Sequence, residues 1–395
     1  MHVVLAYSGG LDTSTAIPWL KEVKQAEKVT AVLVNVGQNE DLEAASSRAY
    51  ALGADSVHIV DKIQAMVQDG IAPMLKAGAV YEGSYLLGTA IARPFIADAL
   101  VEIALQVGAQ AICHGATGKG NDYLRFEQRI RHQAPGLAII APWREWDLKD
   151  RDSALAMLSK TGVDLPTKSF AYSVDANLWH TSYEGGPLED LTHPVPDEIG
   201  SRMLSPGIAH IHIGFKDGLP CSLNGQSMAL SEIIQQLNQE LATTGYGWED
   251  LVETRTNGLK SRGIYYTPAG TLLYAARTAL AQVWFPKPTL DYLDQQSNIY
   301  GKMVYEGAWD HPMRAAMDAA IDQIFAGTEG EIHMVIKGAQ MLIQKRTCNP
   351  SLFDTAMSGF GHMDVWDDSF SDALVFLQRM KYHSKPYPVL LGVLT

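Results

Sequence analysis

Val3-Val4-Leu5-Ala6-Tyr7-Ser8-Gly9-Gly10-Leu11-Asp12-Thr13-Ser14 is the stretch on which the reading of this chain turns. A short apolar run, residues 3–6, meets a Gly-Gly break, and residues 14–22 then place Ile17 and Leu20 on one helical face. The order is strand, turn, helix. Unpaired amides and the positive end of the dipole at a helix start favour an anion. The glycines allow a tight turn and a close backbone approach, and Ser8, Thr13 and Ser14 supply hydroxyl donors. Asp12 offers a carboxylate suited to a magnesium ion. The loop therefore reads as a phosphate cradle, although it lacks the lysine of a Walker loop and the Gly-x-Gly-x-x-Gly order of a dinucleotide fold.

The same alternation continues outward. Residues 29–36 are rich in β-branched side chains and lead through Gly37 into a helical stretch, 41–52, closed by Gly53. Residues 56–60 read as a strand and residues 88–107 as a long helix with Gly108 just past its end. A buried-looking strand, 109–113, then opens a second glycine-rich loop, His114 to Asp122. Such alternation predicts an α/β fold with a parallel sheet covered by helices on both faces. The texture changes after Pro166: Pro and Gly cluster through 185–220, and residues 208–215 and 222–224 read as a hairpin. The expected division is a nucleotide-binding domain at 1–165, an α+β domain at 166–365, and a C-terminal helix and tail at 366–395. Within the last part, Phe370, Leu374 and Leu377 form a stripe at helical spacing that calls for a partner.

Bulk properties bound the function. A chain of 395 residues suits two domains. The formal net charge of -13 provides no field to attract a phosphate backbone, so a nucleic-acid partner is disfavoured. Three widely spaced cysteines fit neither a disulfide framework nor a Cys-x-x-Cys site and point to the reducing cytoplasm. Neither a secretion signal nor an apolar run of about 18 residues is visible, so no membrane partner is expected.

The first loop resembles the pyrophosphate loop of the N-type ATP pyrophosphatases, which cut ATP between the α and β phosphates. The flanks resemble one family of that group, argininosuccinate synthase. They include Gly37-Gln38, Tyr85-Leu86-Leu87-Gly88-Thr89, Ala92-Arg93-Pro94, His114 to Asp122, Arg125-Phe126-Glu127, Ser182-Tyr183-Glu184-Gly185 and Lys260-Ser261-Arg262-Gly263. The likeness is strong up to about residue 310. It implies an ATP-dependent ligase for citrulline and aspartate, with Mg2+, acting as a homotetramer whose C-terminal helices cross between protomers. By resemblance, Ala6, Tyr7, Ser8, Gly9, Gly10, Leu11, Asp12, Thr13, Ser14, Val34 and Gly115 bind ATP. Thr117, Asn121 and Asp122 take aspartate, and Asn121 with Arg125, Tyr85, Ala90, Ser173, Ser182, Glu253 and Tyr265 surrounds citrulline. Asp12, Thr117, Asn121, Asp122 and Arg125 are then the catalytic set, with Asp12 as the metal ligand. Asp122 is suited to accept from an incoming ammonium group, Arg125 to pair with a carboxylate, and Glu253 to hold an α-ammonium group. A site between the domains that excludes water from the adenylate is expected.

Four positions depart from the family pattern: Val34 stands for a small residue beside adenine, Thr254 for Asn, Tyr266 for Glu, and Ala90 for a Ser that meets citrulline. Ala90 leaves open an acceptor related to citrulline, and loss of catalysis would leave a nucleotide-binding protein. His114 and Arg93 read as structural, and Lys119 as a possible phosphate partner.

Overall fold

The computed structural model describes residues 1–148, 151–163, 172–359, 367 and 369–382. The domain boundaries expected near 165 and 365 both lie outside the described residues, as does the tail after Tyr382. Met1–Pro350 forms one compact unit and Ser351–Thr395 another.

Five parallel strands make the first sheet: β1 (His2–Ala6), β2 (Lys28–Asn35), β3 (Ser56–Asp61), β4 (Ala111–Cys113) and β5 (Ala138–Ile140). Their order is β3-β2-β1-β4-β5. The chain winds outward from β1 to β3, then crosses back to the other side of β1. Ligands in open α/β sheets bind beyond the carboxyl ends of the strands where the winding reverses. Here those ends belong to β1 and β4, and each carries one of the two glycine-rich loops. Alternation along β1 and β2 supplies two cores. Val4, Val32 and Val34 enter one cluster, while Val3, Leu5, Ala31 and Leu33 enter the other.

The helices follow their sequence signals. Leu42–Ala51 is capped by Asp41, whose Oδ1 accepts from Ala44 N at 2.9 Å. Gly88–Gln106 ends at Gly108, which has φ of +66°. Two limits differ from the expectation. The first helix starts at Leu11, and β4 begins only at Ala111 because Ala109 N still bonds to Ala104 O at 2.8 Å in the helix exit.

Two antiparallel sheets follow. One, ordered β11-β12-β7-β6, comprises β6 (Ser173–Ala176), β7 (Thr181–Glu184), β11 (Trp248–Thr254) and β12 (Lys260–Tyr266). The other, ordered β10-β9-β8-β13-β14, comprises β8 (Ile208–Lys216), β9 (Leu219–Leu223), β10 (Gln226–Ser227), β13 (Glu329–Lys337) and β14 (Gln340–Asn349). β8 and β9 are the expected hairpin; its turn residues Asp217 and Gly218 have φ of +49° and +79°, the hand that matches strand twist.

Residues 177–180 fasten the four-stranded sheet to the parallel one. Leu178 N donates to Val36 O at 2.8 Å, Asn177 Nδ2 to Gly88 O at 2.9 Å, and Trp179 Nε1 to Leu86 O at 2.9 Å. The approach requires glycine on the other side. A Cβ at Gly88 would stand 2.1 Å from His180 Cγ, and one at Gly37 would stand 2.7 Å from Leu178 Cβ.

Candidate active site

The first loop is built around a hydroxyl knot. Ser8 Oγ lies 3.2 Å from Thr13 Oγ1, which donates to Gly10 O at 3.3 Å, and Tyr7 Oη lies 3.3 Å from Ser14 Oγ. Gly10 caps the helix Leu11–Glu22 without any side-chain cap, so the first amides stay open to an anion. Gly9, at φ of +72°, keeps the turn flat beneath Arg48: a Cβ there would stand 2.9 Å from Arg48 Nη2. Arg48 has no ion-pair partner among the described residues, and its Nε is buried without a hydrogen bond. The cation that the loop lacks in sequence thus arrives from the next helix. Ala6 lies half-buried at the end of β1, and Val34 is buried in the core cluster.

The second loop closes against the first. A Cβ at Gly115 would stand 3.0 Å from Thr13 Cγ2 and 3.8 Å from Asp12 Cβ. His114 is structural here, its Nδ1 accepting from Ala116 N at 3.3 Å and its Nε2 lying 3.4 Å from Glu127 Oε1. The far end of the loop is held by the β11–β12 hairpin: Arg255 Nη1 and Asn257 Nδ2 donate to Lys119 O at 3.2 and 3.1 Å.

Asn121, Asp122, Arg125 and Glu253 converge on Tyr305. Asn121 Nδ2 donates to the Tyr305 hydroxyl at 2.9 Å, and Asn121 Oδ1 accepts from Thr256 N at 3.0 Å. Arg125 Nε donates to Tyr305 O at 2.9 Å and Nη1 to Asp122 Oδ1 at 2.9 Å. Burial and then the neighbouring charge of Glu253 push the pKa of the Tyr305 hydroxyl up. Within this cluster two polar atoms are buried without a hydrogen-bond partner among the described residues: Arg125 Nη2 and Glu253 Oε2. One donor on a cation and one acceptor on an anion, on either side of one tyrosine, match the carboxylate and ammonium of an α-amino acid.

The electrostatics are those of a largely buried cluster of charges. Burial alone would raise the Asp122 pKa, but Arg93 and Arg125 outweigh it and hold the carboxyl below its ordinary value. Burial pushes Glu253 upward. Glu184 is pushed up to about 7, first by burial and then by the charges of Glu253, Asp122 and Asp175. His180, which meets Thr89 Oγ1 at 3.0 Å, is lowered to about 4 chiefly by burial.

The other residues named from the sequence divide. Tyr85 and Tyr265 pack with ring centroids 4.6 Å apart, and Tyr85 meets the Tyr305 ring edge-on at 6.2 Å. Ser182 is buried opposite Tyr265 and Asp175 in the strand register. Thr117 and Ser173 are exposed, and neither side chain bonds to the Tyr305 cluster. Ala90 is 1% exposed within the apolar core. Sequence reasoning missed Tyr305, Tyr81, which stacks on it at 3.6 Å, and Arg48. It took Arg93 as structural, and Arg93 bridges Asp122 and Asp175. Only Arg48, at the spacing of a basic residue one turn from the helix end, carried any signal.

A parallel sheet that reverses at β1, with an uncapped helix start over a Gly-Gly turn, defines a nucleotide-binding domain of the HUP class. Residues 2–164 match the family model described as the arginosuccinate synthase N-terminal HUP domain, and residues 172–384 match that of the arginosuccinate synthase C-terminal domain. An argininosuccinate synthase of Caldanaerobacter subterraneus subsp. tengcongensis is 43% identical over 381 residues, covering 95% of this chain and 93% of that relative. One from Thermoanaerobacter sp. (strain X514) is 44% identical over the same length, with the same coverage. A third, from Pelotomaculum thermopropionicum, is 41% identical over 388 residues and covers 95% of both chains. The chain belongs to the argininosuccinate synthase family.

Proposed function

We propose that the chain joins citrulline to aspartate at the expense of ATP, giving argininosuccinate, AMP and pyrophosphate in arginine biosynthesis. The observation that carries this reading is the orphaned pair of Arg125 Nη2 and Glu253 Oε2. An α-amino acid seated there gives its carboxylate to Arg125 and its ammonium to Glu253. Its side chain is then free to reach the α-phosphate beside Thr13 and Gly115.

The ureido oxygen attacks the α-phosphorus, the bond to the β-phosphate oxygen breaks, and pyrophosphate leaves into the amides of the first loop. Arg48 and the Ser8, Thr13 and Ser14 hydroxyls hold that leaving group. The aspartate amine, deprotonated, then attacks the ureido carbon, and the carbon–oxygen bond to AMP breaks. Asp122, Asn121 and Thr117 orient the aspartate, with Arg93 fixing Asp122. Buried tyrosines and the 177–180 segment keep water from the adenylate. The Asp12 carboxylate, on the first helical turn beside the loop, would hold a magnesium ion, which would neutralise charge on ATP.

Assembly as a cytoplasmic homotetramer is part of the same proposal. It is supported by the family likeness and by the helix Ser369–Tyr382, on which Phe370, Leu374 and Leu377 are each more than half exposed in the single chain, at 55%, 53% and 60%. No helix among the described residues is long and apolar enough to cross a membrane.

Substrate omission tests the ligase reading. Pyrophosphate should form in one turnover from ATP and citrulline, and steady AMP production should also require aspartate. Pyrophosphate release that ignores citrulline would defeat it.

A further inference from the structure

β8 and β13 run antiparallel, and their register sets His212 directly opposite His333. Glu331 lies two positions from His333 on the same side of β13. Ile211, Ile213, Ile332 and Met334 turn inward and are fully buried, so the two histidines and the glutamate share the opposite face of the sheet. The imidazoles stack with centroids 3.9 Å apart and planes 11° from parallel. One ligand atom from each of the three side chains lies within 4.8 Å of the others. His212 Nε2 stands 3.4 Å from Glu331 Oε2, yet it is buried and makes no hydrogen bond among the described residues.

We propose that His212, Glu331 and His333 form a binding site for a divalent transition cation of the zinc and nickel kind, separate from the ligase site. A tetrahedral ion about 2.0–2.1 Å from each nitrogen holds two nitrogens roughly 3.3 Å apart. Side-chain rotation on the fixed ladder closes the present spacing to that value. Two imidazoles and one carboxylate select zinc, nickel or copper over magnesium or calcium, which require oxygen donors. Lys345 stands opposite His333 on β14, so the site offers no surplus of negative charge to a hard cation. Binding therefore draws on nitrogen lone pairs, and His212 Nε2 gains the partner it lacks. Solvent fills the remaining coordination positions. Because the ligands come from two strands, a bound ion ties β8 to β13 and stabilises the folded chain by mass action.

The test is calorimetric titration of the full chain, stripped of metal, with nickel chloride, zinc chloride and magnesium chloride in turn. Nickel and zinc should each saturate one site per chain, and magnesium should not compete at that site. His212→Ala and His333→Ala should each weaken nickel binding by at least about tenfold, since losing a ligand costs no less than losing an outer-shell partner. Glu331→Gln alters a side chain that is 57% exposed, so it tests the site without disturbing the core. It should weaken binding as well, and zinc should raise the melting temperature of the native chain but not of His212→Ala. Failure to saturate, or nickel affinity unchanged in His333→Ala and Glu331→Gln, overturns the proposal. Neither result bears on the ligase reading, which is measured by product formation.

Discussion

Arg93 donates to Asp122 across 2.8 Å, tying the long helix Gly88–Gln106 to the first residue of the helix Asp122–Gln133. The same nitrogen holds Asp175 of β6 at 2.8 Å, and the other Asp122 oxygen holds Arg125. One carboxylate thus sits between two guanidiniums, which hold it ionised.

Asp122→Ala leaves both arginines short of a partner. Breaking such a pair costs about 3 kcal/mol, the lower end for buried pairs because this carboxylate is partly exposed. Beyond that loss of stability, the aspartate-dependent step should fall much further than adenylation. Rapid-quench measurement of pyrophosphate with citrulline alone, then of AMP after aspartate is added, separates the two. Equal loss in both would remove Asp122 from aspartate binding.

Arg48→Ala should weaken pyrophosphate and ATP binding while leaving the Michaelis constant for citrulline unchanged. A hydrogen bond to a charged group is worth roughly 1.5–3 kcal/mol, or roughly 10- to 100-fold in affinity. Pyrophosphate product inhibition reads this directly, and Arg48→Lys should recover part of it. An unaltered inhibition constant would make Arg48 a packing residue over Gly9.

The Glu184 carboxyl, raised by burial to about 7 from 4.5, predicts a pH signature. The folded state binds more protons than the unfolded state between those values, so this group's contribution to stability falls as pH rises through that window and is constant above it. Glu184→Gln removes the penalty. Its melting temperature relative to the native chain should climb from pH 5 to pH 7.5 and then level off, with a gain of at most about 3 kcal/mol. A difference independent of pH would show that Glu184 is not held protonated by the fold.

The fold was legible because its signals are local: a glycine turn after β1, Gly53 and Gly108 as stops, and a hairpin pattern over residues 208–215 and 222–224. The strand β5 was not, since three residues bounded by loops carry no period. Residues on the two loops were named through the family motif, and among them Asn121, Asp122 and Arg125 lie together beside Tyr305. The hub of that cluster, Tyr305, sits at the end of a helix with nothing in its neighbourhood to mark it, and its place there depends on partners distant in sequence, such as Asn121, 184 positions away. The two partners of Arg93, Asp122 and Asp175, are likewise distant in sequence. Ala90, named as a citrulline neighbour by resemblance, is 1% exposed.

The stripe on Ser369–Tyr382 predicts that a chain ending before Phe370 loses its oligomeric state. Light scattering should report a smaller particle than the full chain gives. An unchanged mass would place the assembly contacts elsewhere.

The most direct test of the central claim follows one oxygen atom. Citrulline labelled with heavy oxygen in its ureido group is turned over with ATP and aspartate, and the products are weighed by mass spectrometry. Attack by the ureido oxygen on the α-phosphorus, with later loss of AMP from the ureido carbon, predicts one labelled oxygen in AMP and none in pyrophosphate or argininosuccinate. Unlabelled AMP would contradict the account.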